Sequence, residues 1–170
     1  PRIAYPTYDV GARLAGATAL PADDPADWVD VPGVRLVWVN SPSNPTGSVL
    51  GTEALAAVVA AARSVGAVVA SDECYALLPW VQPWTADGVP SVLDPRVSHG
   101  AHDGLLALYS LSKQSNLAGY RAAFAAGDPD LVAGLLEARK HIGMMVPGPV
   151  QAAMLAALDD DAHVAAQRER

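Results

Sequence analysis

Three short apolar runs constrain this chain more than any other feature. Val34 to Val39 (VRLVWV), Ala67 to Ser71 (AVVAS) and Leu105 to Tyr109 (LLALY) each have strand length, and Pro32-Gly33 and Asn40-Ser41-Pro42 bound the first of them. Between the first two lies Thr52 to Val65. There Leu55, Val58, Val59 and Ala62 recur at helical spacing, with Thr52 expected as N-cap and Gly66 as the stop. Strands separated by a helix predict βαβ units, a mostly parallel sheet and the α/β class. Arg121 to Ala126 (RAAFAA) predicts a fourth strand, closed by Gly127-Asp128-Pro129, with Asp128 capping a helix that runs to about His141. Residues 7–15 predict a short helix and Pro149 to Leu158 another, and Asp159–Asp161 should cap a last one. Residues 76–103 carry Pro79, Pro83, Pro90 and Pro95 and predict a long loop with short pieces of structure. Parallel sheets bind ligands at the carboxyl ends of their strands. Asn44, Asp72 and the run Ser110 to Lys113 follow the three apolar strands.

Composition narrows the function classes. Hydrophobic residues are 51% of the 170 and charged ones 17%, which is enough to bury a core and argues against disorder. Gly, Pro or charge interrupts every apolar stretch short of the roughly 18 residues of a membrane span, and no signal peptide is expected. The net charge is −7, and the 11 Lys+Arg are unclustered, which argues against a nucleic-acid partner. The single cysteine, Cys74, excludes an internal disulfide and a Cys-rich metal site. It reads as a small buried hydrophobe in a reducing, cytoplasmic setting. The chain starts at Pro1 and stops at Arg170 inside a helix-like run, so it is expected to be a piece of a longer protein.

Several familiar signatures fail for lack of partners. Asp72-Glu73 after an apolar strand is similar to the acidic end of a nucleotide hydrolase strand, but no Gly-x-x-x-x-Gly-Lys loop exists. Ser110-Leu111-Ser112-Lys113 satisfies the Ser-x-x-Lys pattern of serine acyl-enzymes, but the Ser-Asp-Asn and Lys-Thr-Gly elements are absent. His99 and His102 lie in a loop-like segment with no third ligand, so they read as solvated rather than metal-binding.

A different set holds together. Asn44-Pro45-Thr46-Gly47, Asp72-x-x-Tyr75, Ser110-x-Ser112-Lys113 and Arg121 occur in this order, each at a predicted strand end or start. Together they resemble the fold type I aminotransferases that use pyridoxal 5′-phosphate, over nearly the whole chain. The segments Ser110 to Asp128 and His141 to Ala153 carry a narrower resemblance to actinobacterial N-succinyldiaminopimelate aminotransferases.

The resemblance implies a three-layer sandwich around a mostly parallel sheet. Residues 1–146 would be a partial large, cofactor-binding domain, and residues 147–170 the interdomain helices that begin a smaller α/β domain. It implies a role for each site residue. Lys113, one of only two lysines, would bind the cofactor aldehyde. Asp72 would keep the pyridine nitrogen protonated. Asn44 and Tyr75 would donate to the 3′-oxygen, and Tyr5 would stack on the ring. Arg121 would hold the phosphate through its planar fork of donors, helped by Ser110 and Ser112. The implied substrates are glutamate and a 2-keto acid, and the implied assembly is a homodimer. The resemblance also implies an upstream phosphate loop and a downstream arginine for the substrate carboxylate, neither of which this chain contains. The Asn44-Pro45 bond is expected to be cis. Two rival readings share these motifs: an aminotransferase-like effector domain of a transcription regulator, and a carbon–sulfur lyase.

Overall fold

The structure, a computed structural model, describes residues 1–143 and 145–170. Met144, within one of the segments that carry the narrower resemblance, lies outside the described residues. Four strands form one sheet in the order of the sequence: β1 (Leu36–Asn40), β2 (Val68–Asp72), β3 (Leu105–Ser110) and β4 (Ala123–Gly127). The first three are parallel and β4 is antiparallel to β3. The register brings Asn40 level with Asp72, and Asp72 level with Leu108, so the carboxyl ends of β1, β2 and β3 form one rim. Because β4 runs the other way, its first residue, Ala123, pairs with Ser110. The residues just before β4 therefore reach the same rim as the residues just after β3.

Two helices cover opposite faces. Helix α1 (Thr7–Leu14) lies on one face, where Tyr8 stacks on Trp38 of β1 with ring centroids 4.8 Å apart. Helix α2 (Thr52–Ser64) lies on the other. Its Leu55, Val59 and Ala62 are fully buried against Val39, Val69, Leu105 and Ala107 of the sheet, with Trp28, Val92 and Val97 completing the core. That stripe is the helical period read in the sequence. The N-terminus of α2 differs from expectation. Gly51 holds the N-cap position with extended backbone, Thr52 is the first helical residue, and no side chain caps the turn.

The stretch between β2 and β3 contains two single turns, α3 (Trp84–Asp87) and α4 (Pro95–Ser98). A further short helix, α5 (Leu111–Gln114), follows β3 directly. The fourth strand starts two residues later than expected, because Arg121 ends a 3-10 turn (Ala118–Tyr120) in the left-handed conformation at φ 52°. At its far end Gly127 faces Leu106 with φ 137°, and a Cβ there would stand 2.1 Å from the Leu105 carbonyl oxygen, so only glycine fits. Asp128 caps α6 (Pro129–Ile142) as expected, accepting from the Asp130 and Leu131 N–H groups. It also accepts from the Gly104 N–H at 2.7 Å, which ties α6 to the start of β3. Helices α7 (Gly148–Leu158) and α8 (Asp161–Glu169) complete the chain, and Asp160 caps the latter. Among the described residues no helix is long and apolar enough to cross a membrane.

Candidate active site

The rim forms a cavity of about 260 Å³, just below the roughly 300–1,000 Å³ of small-molecule sites. All eight residues singled out in the sequence line it. Each arrives by a local feature of the chain. Asp72 is the last residue of β2, and Tyr75 sits one turn beyond it. Ser110 ends β3 and is the N-cap of α5, so a single residue converts strand into helix and turns Lys113 back over the rim. Asn44 lies in the turn after β1, and its bond to Pro45 is cis, as expected; Ser41-Pro42 and Gln82-Pro83 are cis as well. Arg121 reaches the rim through the antiparallel start of β4. Tyr5, 48% exposed, stands just before α1.

The charges are arranged asymmetrically. Lys113 and Arg121 line the cavity as exposed cations, and Asp72 is the half-buried anion. The Lys113 ammonium lies 5.7 Å from the centre of the Tyr75 ring, within cation–π reach. Arg121 is steadied by donating to the Ala118 carbonyl at 2.9 Å. The Ser110 and Ser112 hydroxyl oxygens are 2.7 Å apart, and Ser110 Oγ accepts from the Ser112 N–H at 3.1 Å. Two hydroxyls and a guanidinium thus line the same cavity, a donor set suited to a phosphate.

Tyr8, Asn40, Cys74 and Ala118 also line the cavity and were not anticipated. The Tyr8 hydroxyl donates to Asp72 Oδ2 at 2.7 Å, and the Cys74 N–H donates to Oδ1 at 3.2 Å, so the carboxylate is held at both oxygens. Burial pushes the Tyr8 phenol upward, and the adjacent Asp72 adds to the shift. Burial likewise pushes the Cys74 thiol up to about 12, again reinforced by Asp72, so it stays protonated and unreactive at neutral pH. The signal for Tyr8 was its place one helical turn after Tyr5. Asn40 was read only as part of a turn, although it ends the same apolar run that leads to Asn44.

Glu73 points away from this site. It is 5% exposed and accepts from the Val92 N–H at 2.8 Å, anchoring the long β2–β3 connection. Burial raises its carboxyl, against the Val92 N–H and the Ser91 and Ser71 hydroxyls, which lower it. Among the described residues no cluster of His, Cys, Asp and Glu could hold a metal ion.

Comparison with known proteins identifies the family. The chain is 56% identical over its whole length to the 4-dedimethylamino-4-oxo-anhydrotetracycline transaminase OxyQ of Streptomyces rimosus, of which it covers 46%. It is 58% identical over its whole length to the probable aminotransferase Rv1178 of Mycobacterium tuberculosis, of which it covers 39%. The chain therefore spans less than half the length of these relatives. Among solved structures, N-succinyldiaminopimelate aminotransferase from Mycobacterium tuberculosis superposes with a TM-score of 0.83 at 29% identity, covering 98% of this chain and 45% of the other. An aminotransferase from Neisseria meningitidis superposes with a TM-score of 0.83 at 32% identity, covering 95% and 43%. The family described as aminotransferase class I and II matches residues 1–170, and the chain belongs to that family.

Proposed function

We propose that the complete protein is a transaminase that moves an amino group from glutamate to a keto acid, with the rim cavity as its active site. The observation that carries this reading is the meeting of Lys113, Asp72, Arg121 and Asn44 around one cavity, in a chain of this family. Family membership implies pyridoxal 5′-phosphate as cofactor, and the donor set fits it: an amine for the aldehyde, a carboxylate for the ring nitrogen, and a guanidinium with two hydroxyls for the phosphate. When bound, the cofactor supplies an electron sink for the substrate's α-carbon.

The chain's own residues do the rest. Lys113 would hold the cofactor through its amine, the aldehyde oxygen leaving as water, and would move a proton to and from the substrate α-carbon. Asp72, oriented by Tyr8 and the Cys74 N–H, holds a proton on the ring nitrogen. Asn44 and Tyr75 donate to the 3′-oxygen, and Tyr5 covers the ring. Arg121, Ser110 and Ser112 hold the phosphate. Residues 1–146 serve as part of the cofactor-binding domain, and 147–170 lead into a smaller domain. The working form is a cytoplasmic homodimer.

The acceptor we propose is the keto partner of N-succinyldiaminopimelate, a step of lysine synthesis. A second acceptor class, a polycyclic ketone, is favoured by the 56% identity to the anhydrotetracycline transaminase. The test is to purify the complete gene product with pyridoxal phosphate and assay glutamate-dependent amination of both acceptors. Amino transfer to the succinylated acceptor is the expected result. Transfer to the polycyclic ketone alone would move the protein to the second class. Release of ammonia and a sulfur product from a cysteine conjugate, without amino transfer, would make it a carbon–sulfur lyase. Failure to bind the cofactor would end the enzyme reading.

A further inference from the structure

We propose that Asn40 is a positioning residue, whose buried carboxamide clamps the Asn44 turn to the end of β2 and so sets Asn44 relative to Asp72. This inference rests on the cofactor reading given above. Asn40 ends β1 and is 6% exposed. Its Oδ1 accepts from the Asn44 backbone N–H at 2.7 Å. Its Nδ2 donates to the Asp72 carbonyl at 3.1 Å and to the Pro42 carbonyl at 3.3 Å. One side chain therefore joins the backbone of the residue that meets the 3′-oxygen to the backbone of the residue that meets the ring nitrogen.

The surrounding bonds explain why this clamp matters. Within the turn, the Ser43 N–H donates to the Ser48 carbonyl and the Gly47 N–H to the Ser43 carbonyl. Those bonds close the turn on itself and leave its placement over the sheet undetermined. The Ser41 N–H donates to the same Asp72 carbonyl at 3.2 Å, which fixes where the turn departs from β1. The Asn40 amide fixes where Asn44 arrives, four residues after it leaves the strand. Asn40 has spent both amide hydrogens and an oxygen lone pair on backbone, so it acts through Asn44, with the end of β2 as the anchor. Displacing a positioned group by about 1 Å can cost on the order of 100-fold in rate.

The experiment uses the complete holoenzyme and reads the pH midpoint of the visible band of the lysine-bound cofactor. A donor on the 3′-oxygen favours the deprotonated form of the lysine–cofactor pair, so withdrawing it raises the midpoint. Asn44→Ala should raise it, and Asn40→Ala should raise it by about 0.5–1 pH unit. The double variant should shift no further than Asn44→Ala alone, because both changes act through one contact. If Asn40→Ala does not fold, Asn40→Ser keeps a polar group there, is too short to reach Asn44, and carries the same expectation. A wild-type midpoint in the Asn40 variant, or a fully additive double variant, would overturn the clamp. A wild-type holoenzyme with no titrating visible band would instead overturn the cofactor reading, so the two failures are distinguishable.

Discussion

The interior of the sheet and its rim are built from the same strands under opposite rules. In β2, Val69 is 1% and Ala70 3% exposed, while Asp72 two residues on is half-buried and hydrogen-bonded. The interior packs against the apolar stripe of α2, and removing a methylene there costs transfer and cavity energy. At the rim the strands end, the backbone turns away, and polar side chains meet over a cavity instead of a neighbour. On the proposed function, interior residues carry stability and rim residues carry chemistry. The separation is directional along each strand, which makes it testable.

The largest effect is expected from Lys113→Ala in the complete protein. The visible band of the lysine-bound cofactor should vanish and turnover should fall at least about 1,000-fold. The thermal midpoint of the apoprotein should change little, since Lys113 is exposed. A large loss of apoprotein stability would break the separation from the rim side. Next comes Leu55→Ala, from the interior. It should destabilise the fold by about 2–5 kcal/mol, read by denaturant melts, while the folded fraction keeps the cofactor band. Loss of the band in folded protein would break the separation from the other side.

Tyr8→Phe probes the boundary, because Tyr8 stacks on Trp38 and also donates to Asp72. Removing one hydrogen bond to a charged group should lower kcat about tenfold, equivalent to roughly 1.5 kcal/mol, with the stack retained. Unchanged kcat would show that the hydroxyl serves packing alone. The smallest effect concerns acid stability at the far end of the sheet. The Gly104, Leu131 and Asp130 N–H groups hold the Asp128 carboxyl below its ordinary value. A depressed folded value means that this stabilisation is present above the unfolded value of about 3.9 and is lost as pH falls through the folded one. Asp128→Asn keeps an oxygen for the cap, so wild type and variant should converge as acid melts approach pH 3. A gap that widens toward low pH would reverse the sign.

Much of this was legible in the residues. The three apolar runs became β1, β2 and β3, and Leu55, Val59 and Ala62 proved to be the buried stripe of α2. All eight candidate site residues line one cavity, and Asp72 and Ser110 were legible because an apolar run meeting Asp or Ser marks a strand end locally. The errors lay where local signals compete. Thr52 is a good N-cap type, yet the extended backbone at Gly51 put the cap one residue earlier. Arg121 reads as strand by neighbourhood, but its left-handed φ delays β4 to Ala123.

Periodicity and turn chemistry act over a few residues, so the sequence alone determined the elements, their apolar faces and the chemical types placed at their ends. Only the tertiary structure decided which ends share a rim, because register is a relation between distant segments. Asn40 reaching the Asp72 carbonyl spans 32 positions, and the Tyr8 hydroxyl on the Asp72 carboxylate spans 64. No local pattern encodes either contact. The antiparallel course of β4 likewise brings Ala122 and Ala123, just after Arg121, beside Ser110, because packing strands side by side fixes neighbours that the chain order leaves apart.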